Sequence, residues 1–175
     1  PSGAAFHPTT GRLWTVVHGP RGGDELNIIR SGGNYGWPVI SYGRDYSREQ
    51  IGEGITAQEG MEQPRYFWTP SIAPGSLMFY TGDEIERWKG NALVSTLSGE
   101  HISRLVLDGE RVIAEERLMH GRGQRIRTLA QAPDGSVYML TNSMPGPPGL
   151  ARGASYVYRL TLRSVPNPFS ALEED

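Results

Sequence analysis

Residues 18–38, HGPRGGDELNIIRSGGNYGWP, combine oxygen ligands with sharply bent backbone. Gly22 and Gly23 allow left-handed conformations immediately before Asp24 and Glu25. A hard cation such as calcium takes several oxygens, from carboxylates and from the carbonyls that such turns expose. Asp24, Glu25 and the carbonyls of Gly19 and Pro20 are the candidates. Successive residues of a strand face opposite ways, so Asp24 and Glu25 reach one ion only if the backbone bends there. A solvated acidic turn has the same spacing, and no EF-hand spacing is present.

A second constellation is RGQRIR, residues 122–127. On a strand, Arg125 and Arg127 project to one face and Ile126 to the other. Two guanidinium groups side by side offer bidentate recognition of a di- or tricarboxylate; an exposed edge strand with two solvated arginines reads the same way. Of the four histidines, His7 is expected exposed in a turn beside Pro8. His18 either lines the cavity of the glycine turn or stays outside it. His101 and His120 read as structural loop residues. No Ser-His-Asp arrangement and no histidine pair of zinc spacing occurs. The stretch NYGWP, 34–38, reads as a packed aromatic turn.

These residues need a frame, and composition narrows it. The 175 residues suffice for one domain with a core. With 17 basic and 19 acidic residues the net charge is -2, without the basic surplus of a nucleic-acid binder. Lys89 is the only lysine, and the arginine bias is compositional for most positions. Cysteine is absent, which excludes disulfides, thiolate nucleophiles and Cys-ligated metals. No stretch approaches the ~20 apolar residues of a membrane span. The chain opens Pro1-Ser2-Gly3 without a leader pattern or initiator methionine, and it is read as processed or partial.

The 23 glycines and 13 prolines are spread throughout, with short runs of β-formers between them. Strands are expected at 13–17, 77–80, 92–97, 103–107, 137–140 and 156–160, and one or two helical turns at 83–88. Short strands bounded by turn residues point to an all-β sandwich, barrel or propeller. A faint repeat favours the propeller: AFHPTTGRLW (5–14) matches AQAPDGSVY (130–138), both strand, turn and aromatic strand. Residues 105–112, LVLDGERV, form a third hairpin on an Asp-Gly turn. At ~40–50 residues per blade, the chain holds about three to four blades. Residues 1–165 are expected to form this partial β-propeller domain. The Pro-rich segment 144–149 reads as a loop, since proline cannot donate to a ladder, and 166–175 as a flexible tail.

In this order, HGPRGGDELNII, GGNYGWP and GQRIR closely resemble the soluble, pyrroloquinoline-quinone-dependent aldose sugar dehydrogenases of the glucose/sorbosone dehydrogenase family. The resemblance covers roughly residues 3–162. It implies a six-bladed β-propeller with the quinone (PQQ) and an adjacent Ca2+ in a cleft at the top. Gly19 and Pro20 then bind the calcium through their carbonyls, and Asp24, Glu25 and Tyr35 match positions at the calcium or its immediate shell. Tyr46 matches a cofactor-contacting tyrosine. Arg125, Ile126 and Arg127 match the segment whose arginines hold the quinone's carboxylates and carbonyl oxygens. Thr96, Leu97 and Ser98 match a loop that runs along the cofactor. The implied reaction oxidises an aldose at its anomeric carbon, with an external electron acceptor and a periplasmic or secreted location.

Two departures stand out. Where Ser98 lies, the family commonly carries a lysine on the quinone. The family's general-base histidine, and an Arg-Asn cofactor pair, belong to earlier blades; none of the four histidines here matches that base. The chain is therefore read as the C-terminal half of such a dehydrogenase, completed by an N-terminal portion of the same propeller or by a homodimer. The competing reading is a non-catalytic propeller module that retains the fold and the calcium as a binding surface.

Overall fold

A computed structural model describes residues 1–142 and 154–162. Three antiparallel sheets follow one another along the chain as consecutive blades of a β-propeller. The first comprises β1 (Gly3–Phe6), β2 (Leu13–Val17), β3 (Asp24–Ile28) and β4 (Tyr66–Trp68). The second comprises β5 (Pro74–Phe79), β6 (Ala92–Thr96), β7 (Ile102–Asp108) and β8 (Arg111–Leu118). The third has β9 (Arg125–Gln131), β10 (Val137–Asn142) and β11 (Val157–Leu160) among the described residues. The first strands of the blades adjoin, β1 on β5 and β5 on β9, as innermost strands do around a central axis. Segment 144–149 and tail 166–175 lie outside the described residues.

The repeat has a structural meaning. Residues 5–14 and 130–138 lie in the two inner strands, β1–β2 and β9–β10, of the first and third blades. The Asp108-Gly109 turn joins β7 to β8 in the second. The helical signal at 83–88 resolves into a 3-10 turn over Glu86–Trp88.

Burial follows position in the stack. One core lies between the first two blades and includes Trp14, Val16, Leu26, Trp68, Phe79 and Val94. The other lies between the second and third, with Tyr80, Leu93, Ile102, Ile126, Val137 and Met139. The middle blade is covered on both faces, so every residue of β6 is buried. In the third blade β10 alternates buried and exposed, as a strand with one covered face must.

His7 departs from the sequence expectation. It is 6% exposed, stacked on Trp14 and edge-on to Phe79. Its Nδ1 accepts the amides of Thr9 and Thr10, so the ring closes the β1–β2 turn from inside the core.

Carboxylates tie the first blade to the second. Glu115 of β8 accepts hydrogen bonds from Tyr66 Oη (3.2 Å), Trp68 Nε1 (3.0 Å) and Ser103 Oγ (2.6 Å). Glu110, in the β7–β8 turn, receives Thr10 and Arg12 from the β1–β2 turn.

Candidate functional site

Antiparallel connectivity puts every even-to-odd connection at one end of the blades. That rim gathers residues 18–23, 69–73, 97–101 and 119–124, between β2–β3, β4–β5, β6–β7 and β8–β9. Among the described residues it also carries three of the four non-glycine residues with positive φ: Ala73 (48°), Glu100 (54°) and Met119 (62°). Such conformations persist only where the surroundings over-determine them, and they concentrate at functional sites.

The glycine turn is bent as the sequence requires, with Gly22 at φ 100° and Gly23 at φ 71°. It also packs closely. A Cβ on either Gly19 or Gly43 would overlap the Gly22 carbonyl oxygen. Among the described residues, nothing donates a hydrogen bond to the carbonyls of Gly19 or Pro20. Two adjacent open carbonyl oxygens on a rigid turn are the donor set a hard cation takes.

His18 ties this turn to the centre. Its Nε2 lies 2.7 Å from the Pro74 carbonyl. A carbonyl only accepts, so Nε2 is the donor of this hydrogen bond. Ser2 Oγ donates to the same oxygen at 2.6 Å.

Asp24 and Glu25 diverge, as strand alternation dictates. Asp24 is fully buried. Its carboxylate accepts from Gly19 N (2.7 Å), Ile72 N (2.7 Å), Ala73 N (2.8 Å) and Ser71 Oγ. Glu25 instead faces a cavity of about 690 Å³ that also touches Gly19, Pro20, Asn27, Tyr35 and Tyr46. Asn27 Nδ2 donates to Glu25 at 2.9 Å. The Tyr35 hydroxyl is committed to the loop, donating to Ile28 O and accepting from Arg30 N. Tyr46 is 74% exposed at the cavity mouth. Four of the five metal candidates, with Tyr46, thus share one cavity; Asp24 stands behind it.

Burial pushes the Glu25 carboxyl above its ordinary value of 4.5, against the hydrogen bond from Asn27. The group therefore favours folding while protonated, and that contribution is lost as pH rises through the raised value. In calcium-free protein Glu25→Gln is expected to raise the melting temperature at pH 7, with the gain disappearing below about pH 4.5. Thermal melts of both proteins across this range check it; an equal gain at every pH contradicts the cause given.

The remaining candidates lie across the rim. Thr96 is buried, its hydroxyl bridging His101 N and O and closing the β6–β7 connection. Leu97 N donates to Ala73 O, and the amides of Ser98 and Gly99 donate to Ile72 O. Ser98 Oγ donates to Ser71 O at 3.0 Å. On β9, Arg125 is half-buried, Ile126 is 1% exposed in the second core and Arg127 is exposed. The pairing with β10 shifts at this point, leaving Arg127 as the extra residue of a bulge. The bulge explains why Ile126 and Leu129, three apart, are both buried.

Gly75 is likewise skipped in the β5–β6 pairing, and a Cβ there would overlap the Arg127 carbonyl oxygen. The glycine turn, Pro74–Gly75 and the arginine segment are therefore linked in one line through His18. Sequence reasoning missed Ser71–Ala73 and Pro74–Gly75, which organise this line. It also missed the 220 Å³ cleft beside Glu115, His101 and His120. Within it His101 is 2% exposed, and burial holds its ring below the ordinary histidine value.

The family model described as Glucose / Sorbosone dehydrogenase matches residues 1–152. The aldose sugar dehydrogenase of Escherichia coli is 38% identical over 149 residues, covering 83% of this chain and 40% of that protein. A crystal structure of a glucose dehydrogenase superimposes with a TM-score of 0.77 at 41% identity, over 81% of this chain and 41% of its own. The PQQ-bound form of an aldose sugar dehydrogenase from Streptomyces coelicolor gives a TM-score of 0.65 at 25% identity, over 91% and 42%. The chain thus spans about two fifths of the length of these relatives. Among the described residues no helix is long and apolar enough to cross a membrane.

Proposed function

Because the chain belongs to the glucose/sorbosone dehydrogenase family, we propose that it is the cofactor-holding portion of a PQQ- and calcium-dependent aldose dehydrogenase. The observation that carries this reading is the pair of open carbonyls, Gly19 and Pro20, on the same rim as Arg125 and Arg127. The donor set fits both groups: neutral oxygens for a hard cation, guanidiniums for a polycarboxylate. The quinone of a relative from Streptomyces coelicolor supports the choice of cofactor.

When bound, the quinone supplies a two-electron acceptor for hydride from the anomeric carbon, and calcium supplies a Lewis acid beside it. This chain's residues bind and orient. Gly19 and Pro20 present their carbonyls to the cation, with Glu25 and Tyr35 at the wall of the same cavity and Tyr46 at its mouth. Arg125 and Arg127 neutralise carboxylates, while Ile126 anchors their strand in the core. Thr96, Leu97 and Ser98 form a closed edge along the cofactor. His18 holds the turn through Pro74, so its Nε2 is not the base that takes the sugar's proton. That base belongs to an N-terminal portion of the propeller, and the electrons pass to an external acceptor in the periplasm or outside the cell.

The test is reconstitution of the intact, calcium-depleted protein with calcium and PQQ, followed by dye reduction with an aldose. Quinone binding that requires calcium, with sugar-dependent dye reduction, is expected. Quinone binding indifferent to calcium would refute the cation assignment. One observation favours a second reading, a non-catalytic binding module: Ser98 carries no charge, and its hydroxyl is spent on the Ser71 carbonyl. Calcium binding without any dye reduction would select that reading.

A further inference from the structure

We infer that Asp24 is a positioning residue that couples the cation turn to the 97–99 loop, and that it is not itself a ligand of the cation. The inference rests on the calcium reading above.

The carboxylate has no capacity left for a metal. A carboxylate offers about four lone-pair sites. Four groups already occupy them: Gly19 N on Oδ1, Ile72 N and Ala73 N on Oδ2, and Ser71 Oγ within 2.9 Å of both oxygens. The side chain is fully buried and is not part of the wall of the 690 Å³ cavity. A cation at the Gly19 and Pro20 carbonyls therefore meets the turn that Asp24 holds.

The grip has two sides. Residues 71–73 direct one hydroxyl and two amides at Asp24. Their three carbonyls accept from the opposite loop: Ser71 O from Ser98 Oγ, Ile72 O from Ser98 N and Gly99 N, Ala73 O from Leu97 N. Ser71–Ala73 is thus a strip clamped between Asp24 on one edge and residues 97–99 on the other. The left-handed Ala73 (φ 48°) lies within it, with its amide on Asp24. Moving the carboxylate displaces Gly19 on one side and the 97–99 loop on the other. The link to the strip is not local, since Asp24 precedes Ser71 by 47 residues.

The test uses the intact protein, with calcium itself as titrant in calorimetry and amide exchange as a second readout. Asp24→Asn is expected to weaken calcium about tenfold or more, the usual range for a group that orients ligands without touching the metal. It is also expected to speed exchange at Gly19 and at 97–99 together. Glu115→Gln breaks a different hub between the same two blades and is expected to leave calcium affinity within about twofold. A folded Asp24→Asn protein with wild-type calcium affinity, or with exchange changed only at Gly19, overturns the inference.

If Asp24→Asn does not fold, Ser71→Ala decides. It removes one donor and leaves the carboxylate. A positioning Asp24 then loses a support and calcium weakens; a ligating Asp24 gains a free lone pair and calcium tightens. Unchanged or tighter binding overturns the inference. Absence of calcium binding in the unsubstituted protein overturns the cation reading itself, a result distinct from each of these.

Discussion

Arg125→Ala abolishes reconstitution with PQQ while calcium binding persists: that is the expected result of removing the half-buried guanidinium from the rim. Truncating one partner of a buried charge pair typically costs about 2–5 kcal/mol, and each 1.4 kcal/mol is tenfold in affinity. The cofactor carries carboxylates, and a carboxylate left in a partly desolvated cleft without its cation bears most of that loss. Ser98 supplies no charge to compensate, because its hydroxyl is spent on the Ser71 carbonyl. Arg127, exposed on the bulge, contributes less than its half-buried neighbour, since water screens it. Arg159→Ala is the matched control, an exposed arginine paired with Asp134 on the same blade. Quinone titration and dye reduction of the three proteins settle the matter. Undiminished dye reduction by Arg125→Ala would remove the arginine segment from the site.

The second large effect belongs to backbone proximity. Gly75→Ala is expected to lower the melting temperature and the quinone affinity together. An added methyl at Gly75 runs into the Arg127 carbonyl and sits 2.8 Å from Ser95 Oγ. Gly75 is not in the left-handed region, so crowding alone acts, and the neighbour that matters, the Arg127 carbonyl, is main chain and cannot swing away. Overpacking of this kind costs about 1–3 kcal/mol. Relief requires β5 and β9 to separate at the two bulges, and that shifts the segment bearing Arg125 and Arg127. Calorimetric melts and quinone titration read the two effects. An unchanged melting temperature would mean that the innermost strands part freely.

Much of this architecture is legible in the residues. Leu13–Val17 and Val137–Asn142 announce themselves by β-branched and aromatic runs between turn residues. The repeat around Gly11 and Gly135 identifies two inner hairpins of equivalent blades. Strand β8, RVIAEERL, is announced only at its start by the Asp-Gly hairpin; the rest is hidden because it lies on an outer edge, where no alternation is imposed. Tyr66–Trp68 is three residues long and owes its pairing to β3, forty residues earlier in the chain. His7 misleads because a Pro-containing turn ordinarily faces water, whereas here Trp14 and Phe79 enclose the ring. At the rim, alternation correctly separates Asp24 from Glu25. The destination of Asp24 depends on a loop 47 residues away, which no local pattern encodes.

The two seams between blades are unequal as places to cut and rejoin such a chain. Across the first, carboxylates on both sides require particular partners: Asp24 needs Ser71–Ala73, Glu115 needs Tyr66 and Trp68, and Glu110 needs Arg12. A foreign blade grafted there would leave buried acceptors empty, at a cost of about 1–3 kcal/mol for each group stranded. The second seam has an apolar core, and among the described residues its polar links include Gln131 to the Thr81 and Gly82 amides and Tyr80 to the Gly135 carbonyl, which are to backbone groups rather than to a buried carboxylate. Volume-conserving apolar surfaces substitute for one another more readily. Recombination between related propellers should therefore succeed between the second and third blades, and the first two should be inherited as one block.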